Sequence, residues 1–288
     1  MLRCSEDGGN PDGMENLARL RRAFKENKLM HFRAKAVSGV LAVLALSLCV
    51  CLPVQAKEKK KPQAPDVDAR AVSLLEKSCH ALAALNEYSF EADVTLDKVY
   101  GDGSKVQAGR RMEVRVRRPG AFRIVTDGDD IQVLSVFDGK AFSLLLPDRK
   151  AYAQLPAAMD TDALMDMLSA SYGIESTLGD LISNKPCDRL KPESSYYVGK
   201  AKVAGTVCDQ LFFLGKDVDW QIWLEDSATP YPRKIVITEK RQAGAPQFSA
   251  VLSNWKGGPQ PAGSFEFEPP AGAVRDDAII TGKQPGKQ

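Results

Sequence analysis

Histidine is almost missing from this chain of 288 residues, which contains only His31 and His80. A Ser-His-Asp or Cys-His catalytic pair and most zinc sites need a well-placed histidine, so the sequence disfavours both. An excess of one charge is missing too, since 39 basic residues face 37 acidic ones, whereas nucleic-acid-binding domains are usually strongly basic. No phosphate-binding loop or nucleophile motif is present. We therefore expect no enzyme, no metal, no cofactor and no nucleic-acid partner.

Long uncharged apolar runs are also scarce, and the longest covers residues 37–54. Basic residues precede it, and small residues occupy positions −3 and −1 of a cleavage site after Ala56. This pattern predicts a leader with a secretory signal peptide in residues 1–56, with translation starting at Met30, and a periplasmic protein of the Gram-negative type. The alternative is an uncleaved inner-membrane signal anchor, because about 20 apolar residues span a bilayer.

The part of the chain after the leader is nearly neutral. Residues 1–56 hold eight basic and five acidic residues, so their removal changes the net charge from +2 to −1. Residues 57–65 (KEKKKPQAP) are charged and contain proline, which predicts a disordered tether, and residues 280–288 predict a disordered tail. Between them, residues 66–279 are enough for one domain with a sizeable core.

Three cysteines follow the leader, namely Cys79, Cys187 and Cys208. In an oxidising compartment one pair is expected, with one cysteine left over. Spacing does not settle the connectivity. Our candidate is Cys187–Cys208, which would close a loop of about 20 residues and contribute roughly 3 kcal/mol. Cys79 has helical spacing with Leu75 and Leu82, so we predict that it is a small buried hydrophobic residue.

Hydrophobic periodicity indicates the fold class. Apolar residues recur at helical spacing over 72–85, and period-two alternation over 88–155 predicts a run of strands. Two short helices are predicted within 160–184, strands resume over 195–255, and a last short strand is predicted at 265–267. The expected fold is mainly β with helices (α+β), a single strongly curved antiparallel sheet that forms a half-open, unclosed β-barrel covered on its concave face by helices.

Several short motifs occur in a fixed order along the chain. They are VRVRRPGAF at 114–122, VFDGKA at 136–141, LSNW at 252–255 and FEFEPPAGA at 265–273. In this order they resemble the outer-membrane lipoprotein carrier superfamily, which includes the LolA, LolB and LppX-like proteins. Residues 219–238 resemble a subfamily of predicted periplasmic proteins of unassigned function with the same fold.

The resemblance implies a LolA-like half-barrel around a hydrophobic cavity that takes up acyl chains and is closed by helices. It implies that Arg118, which matches the arginine of the Arg-Pro motif, holds the helical lid closed through hydrogen bonds, and that Phe122 lines the cavity mouth. Physically, a guanidinium at an apolar mouth needs carbonyl partners, and helix C-termini supply them. A bound lipid would exchange those hydrogen bonds for burial of about 0.8 kcal/mol per methylene.

Two segments depart from the carriers and leave the cargo open, namely the insertion at 160–184 and the strand that contains both Trp220 and Trp223. Trp220 alternates with Ile222, whereas Trp223 shares a face with Gln221, so we expect one tryptophan in the core and the other at the rim or cavity. The candidate ligand-binding residues of the cavity and lid are Arg118, Phe122, Phe90, Val94, Met112, Val114, Leu164, Met165, Leu168, Trp220 and Trp223.

The function predicted from sequence is that of a periplasmic, non-catalytic carrier that holds lipid or lipoprotein acyl chains in a half-barrel cavity gated by helices. Its partners would be lipid acyl chains or a lipidated protein, together with an inner- or outer-membrane protein. The alternative is a periplasmic protein-interaction or regulatory module that docks a partner's segment on the same concave sheet. Co-purified lipid would favour the first hypothesis, and one stoichiometric protein partner would favour the second.

Overall fold

The computed structural model describes residues 67–174, 176–188 and 193–281. The predicted leader, its cleavage site and the tether at 57–65 lie outside the described residues, as does most of the predicted tail. No helix within the described ranges is long and apolar enough to cross a membrane.

Twelve strands in the described part of the chain form one open sheet with the order β12-β6-β5-β4-β3-β2-β1-β11-β10-β9-β8-β7. The strands are β1 (Glu87–Val99), β2 (Lys105–Arg117), β3 (Ala121–Gly128), β4 (Gln132–Phe137), β5 (Ala141–Leu146), β6 (Ala151–Pro156), β7 (Ser194–Val203), β8 (Thr206–Leu214), β9 (Val218–Glu225), β10 (Pro232–Glu239), β11 (Gln247–Gly257) and β12 (Val274–Arg275).

Four α-helices and a 3₁₀ turn accompany the sheet in the described residues. They are α1 (Ala69–Ala83), the 3₁₀ turn (Pro147–Arg149), α2 (Thr161–Tyr172), α3 (Gly179–Ile182) and α4 (Ala278–Thr281). The predicted opening helix and the two helices of the insertion are therefore confirmed.

One strand prediction is wrong. Residues 265–267 are not a strand, because the chain there forms tight turns in which the Glu266 amide donates to the Gly263 carbonyl. The Phe265 side chain is buried, and the Arg117 guanidinium lies 4.6 Å from the centre of its ring. The last strand is instead β12, which pairs parallel with β6 and makes an otherwise antiparallel sheet mixed.

The sheet is open and strongly curved, as predicted. Phe142 on β5 and Phe248 on β11 are five strand spacings apart, which is about 24 Å on a flat sheet. Both nevertheless line the same cavity of about 500 Å³. The strands between them must therefore wrap around that cavity.

The main hydrophobic core lies on the concave face, between the sheet and helices α2 and α3. Period-two alternation places Tyr88, Phe90 and Val94 of β1 on this face, and all three are buried. Ile280 of α4 is also buried in this core, so the prediction that a frayed tail begins at residue 280 is wrong. The chain after β12 turns back onto the sheet, where Ile280 gains more by burial than by solvation.

Helix α1 covers a separate part of the sheet. It begins at Asp68, whose carboxylate accepts the Arg70 amide at 2.8 Å and the Ala71 amide at 3.3 Å. The same carboxylate accepts the Tyr197 amide of β7 at 2.9 Å. The apolar stripe of α1, which includes Leu75, packs in a second core cluster with residues of β8 and β9. The cap thus starts the helix and positions it against the sheet.

Candidate functional site

A cavity of about 500 Å³, here called the main cavity, lies between the concave face and the lid, which comprises α2, α3 and the chain that follows to Asp188. Along β3 its lining changes from Phe122 through Ile124 to Thr126. The end near Phe122 is therefore apolar, whereas the opposite end, here called the polar end, adds the polar side chains of Thr126 and Arg110 to apolar ones such as Val94. Such a gradient suits a ligand with an apolar chain and a polar head.

Five of the predicted ligand-binding residues line the main cavity. They are Phe122, Val94, Met112, Met165 and Leu168. Phe90, Val114 and Leu164 are instead buried in the core around it, each with no more than 1% of its surface exposed. The strand and helix patterns identify which side chains face inward, but they do not distinguish the cavity wall from the packed core.

The two tryptophans of β9 lie on opposite faces of the sheet. Trp220 faces inward, stacks on Phe213 at 3.9 Å and lines a different cavity. Trp223 packs on the convex face with Cys208, and the Lys234 ammonium lies 4.9 Å from the centre of its ring. Trp223 therefore lines neither this cavity nor the main one, because an odd spacing along a strand reverses the face.

Arg118 lies half-buried where the lid, helix α1 and the sheet meet. Its Nε and Nη2 atoms donate to the Ser183 carbonyl of the lid at 3.0 and 2.8 Å. Its Nη1 atom donates to the carbonyls of Leu82, at the C-terminus of α1, and of Leu85, at 2.7 and 2.5 Å. One guanidinium therefore joins the lid to α1 through four hydrogen bonds, an arrangement that its planar fork of donors allows.

The residue after Arg118 holds both ends of the lid. The Pro119 carbonyl accepts the Thr161 amide at the start of α2 at 2.9 Å. It also accepts Nδ2 of Asn184, beyond α3, at 3.0 Å. The backbone N–H of Asn184 donates in turn to the Asp162 carboxylate at 3.1 Å. The Arg118–Pro119 pair thus contacts the lid where it begins and where it ends.

Tyr88 supports the same junction from within the core. Its hydroxyl donates to the Leu181 carbonyl of α3 at 2.6 Å, and the Arg118 guanidinium lies 4.9 Å from the centre of its ring. Burial raises the pKa of Tyr88 well above its ordinary value, so the hydroxyl keeps its proton and remains a donor.

A disulfide fastens the end of the lid, with a pairing that differs from our prediction. Cys187 is bonded to Cys79 of α1, with 5.3 Å between their Cα atoms, whereas Cys208 is free and buried. The Cys187–Cys208 candidate is therefore wrong, as is the view of Cys79 as a plain hydrophobic residue. Folding brings α1 beside the lid, while Cys208 packs on the convex face with Trp223.

An ionic cluster lies at the polar end of the main cavity. Arg110 donates to both carboxylate oxygens of Asp130, at 2.9 and 2.6 Å, and the Lys98 ammonium lies 2.8 Å from the same carboxylate. The hydrogen bonds from Arg110, more than those from Lys98, hold the pKa of Asp130 well below its ordinary value. This cluster joins β1, β2 and the turn after β3 at the cavity rim.

This lowered pKa predicts a pH dependence of stability. A carboxylate with a lowered folded-state pKa stabilises the protein above its unfolded pKa of about 3.9, and that contribution is lost as the pH falls through the folded value. We expect Asp130→Asn to be less stable than wild type at neutral pH and the difference to shrink below about pH 4. Urea unfolding from pH 2 to 7 measures it. Asp93→Asn, in an exposed ion pair with Arg111, is the control, and a constant Asp130→Asn difference would contradict the prediction.

Comparison with family models decides the family. The model described as "Predicted periplasmic protein (DUF2092)" matches residues 71–276. The chain belongs to this family. The match begins in α1 and ends just past β12, so it covers the sheet, the lid and Arg118. No curated protein matches this DUF2092 chain. Within the described residues, no group of three or more His, Cys, Asp or Glu side chains could hold a metal ion.

Several solved structures resemble this DUF2092 protein in fold. The lipoprotein LppX of Mycobacterium tuberculosis is 16% identical, with a TM-score of 0.41 over 65% of this chain and 96% of its own. A LolA superfamily protein of Nitrosomonas europaea is 12% identical, with a TM-score of 0.36 over 68% and 97%. LprF of Mycobacterium bovis is 15% identical, with a TM-score of 0.37 over 73% and 100%. At these scores the likeness carries no argument about the site.

The half-open, curved sheet with a helical lid that the sequence predicted is confirmed for this DUF2092 protein. The sequence did not identify several other residues that line the main cavity, including Phe142, Ile182 and Phe248. It also missed the bond from Tyr88 to the lid. Apolar alternation marks Phe142 and Phe248 as inward-facing, but only the curvature of the sheet brings them to one cavity.

Proposed function

We propose that this protein is a periplasmic, non-catalytic carrier that binds the acyl chain of a lipid or lipoprotein in the main cavity beneath the lid. The observation that carries the proposal is the apolar end of the cavity at Phe122, next to a lid that Arg118 joins to α1 by hydrogen bonds. The membership of this chain in a family of predicted periplasmic proteins supports the proposed periplasmic location.

The energies favour an apolar chain as the ligand that opens the lid. Burying about 14 methylenes contributes roughly 11 kcal/mol. The four Arg118 hydrogen bonds contribute at most about 1.5–3 kcal/mol each, a total similar to the gain from burial, and water replaces most of that total around the half-buried guanidinium once the lid has moved. A long chain therefore offsets the loss of the Arg118 contacts, whereas a short polar solute does not.

The lining is suited to chains that differ in shape. Met112 and Met165 contact the cavity from the sheet and from the lid, and unbranched thioether side chains adapt to irregular apolar surfaces. At the opposite end Thr126 and Arg110 supply polar contacts for a head group. The chain would enter with its apolar tail toward Phe122.

Phe122→Glu tests the proposal. Phe122 is 4% exposed and contacts the rings of Phe137 and Phe142, with centroid distances of 5.7 and 6.3 Å. A carboxylate at this position would meet an apolar wall and disfavour an acyl chain. We expect native mass spectrometry of protein from a Gram-negative periplasm to detect bound lipid in wild type and none in the variant, and palmitate affinity to fall by at least about 100-fold, equivalent to about 2.8 kcal/mol.

Phe212→Glu is the matched control, because Phe212 stacks on Tyr196 at 6.3 Å and lies outside both cavity linings. Its bound lipid should equal that of wild type. Ile124→Trp, which narrows the main cavity without adding charge, should also weaken palmitate binding and covers the case in which Phe122→Glu unfolds. Lipid bound equally by all variants, or a stoichiometric protein segment in place of lipid, would contradict the carrier function.

A further inference from the structure

A second cavity, of about 330 Å³, borders the lid opposite the main cavity. Leu75 and Leu82 of α1 form one wall, and Trp220 and Ile237 of β9 and β10 form another. Three residues of the lid line both cavities, namely Thr177, Leu178 and Asp180. The short segment at the start of α3 that contains these residues therefore separates the two cavities.

The lining of the second cavity is mostly apolar. Among the described residues that line it, Asp180 alone is charged, and it lies at the shared border. The Ser78 hydroxyl already donates to the Pro230 carbonyl at 2.7 Å, and the Cys79 sulfur is in the disulfide. The Trp220 ring, stacked on Phe213, offers a broad flat surface. This lining favours a hydrocarbon and offers little to a polar group.

The second cavity differs from the main cavity in its lack of a polar end of its own. Its polar lining side chains are Ser78, whose hydroxyl is used, and the border residues Thr177 and Asp180. The head group of a chain in this cavity can therefore lie only at the border, beside Thr177 and Asp180. A chain in this cavity is better explained as one joined, across the border, to a head group shared with the chain in the main cavity. The volume of the second cavity, about 330 Å³, lies at the lower end of the range of about 300–1,000 Å³ that is typical of small-molecule sites, and it suits one unbranched chain.

We propose that the ligand is a two-chain amphiphile, with one acyl chain in each cavity and the head group near Thr177 and Asp180. This inference rests on the proposed function, since it assigns the main cavity to one of the two chains. The lid segment at α3 then acts as a partition between the chains, and Leu178, which is buried and lines both cavities, contacts both of them.

Palmitate, dipalmitoyl phosphatidic acid and dibromostearate test the proposal on delipidated protein. Native mass spectrometry should detect two palmitates for each wild-type molecule but only one two-chain lipid. Ile237→Trp, which fills the second cavity, and Ile124→Trp, which fills the main cavity, form a matched pair, and each should leave one palmitate. Dibromostearate should quench the fluorescence of Trp220, and Trp220→Phe, which removes this fluorophore, should lose most of that quenching.

The outcomes separate this inference from the proposed function. Binding of a single palmitate, removed by Ile124→Trp and without quenching of Trp220, would overturn the second site and leave the carrier function standing. Two palmitates in Ile237→Trp, or equal quenching in wild type and Trp220→Phe, would also overturn it. No binding of any chain would overturn both. If Ile237→Trp fails to fold, the comparison of wild type with Trp220→Phe still decides.

Discussion

Cys79→Ala is expected to lower the free energy of unfolding by about 4–5 kcal/mol more than Cys208→Ala does. The disulfide links positions 108 residues apart, and the chain-entropy model assigns about 4.7 kcal/mol to a closed loop of about 100 residues. Without the bond, the unfolded chain gains that conformational freedom, and the end of the lid loses its covalent link to α1. The effect is large relative to a typical stability of about 5–15 kcal/mol.

Cys208→Ala is a close control because Cys79 and Cys208 are both buried, at 4% and 0% exposure, and both variants lose only a sulfur atom. Guanidinium unfolding with and without dithiothreitol measures the difference. Reductant should destabilise wild type and Cys208→Ala but leave Cys79→Ala unchanged. The reverse result, in which Cys208→Ala abolishes the response to reductant, would support the Cys187–Cys208 pairing and contradict the structure.

Arg118→Leu is expected to destabilise the ligand-free protein by about 2–4 kcal/mol. The substitution removes four charge-assisted hydrogen bonds and leaves three carbonyls, those of Leu82, Leu85 and Ser183, without the guanidinium. The same loss should strengthen lipid binding. If the lid must leave Arg118 to admit a chain, re-forming these contacts favours release of the chain, so a variant that cannot form them should hold the chain longer.

Release of a fluorescent fatty acid measures this second effect. We expect dissociation from Arg118→Leu to be at least about tenfold slower than from wild type, equivalent to about 1.4 kcal/mol. Arg117→Leu removes the same charge from the adjacent position, where the guanidinium lies over Phe265, and should release at the wild-type rate. Arg118→Lys keeps the charge but not the fork and should be intermediate. Identical release from wild type and Arg118→Leu would mean that these contacts do not close the lid.

Trp220 and Trp223 show what the alternation of side chains along a strand predicts and what it does not. Alternation assigns them to opposite faces, and the structure agrees. Which face is concave, and therefore which tryptophan meets a cavity, depends on how the sheet curves. Curvature is a property of the twelve paired strands together, so no single strand encodes it. For the same reason alternation alone did not separate Val114 in the core from Met112 at the cavity wall.

The amino-acid sequence by itself determined the fold class and the position of the helical insertion, because periodicity and turn residues are local. Only the tertiary structure decided the Cys79–Cys187 pairing, the carbonyl partners of Arg118 and the division of the hollow into two cavities. Each of these joins residues far apart along the chain. These residues come together only when the sheet bends and the lid closes onto α1. The residue pattern of a single strand or helix does not determine that geometry.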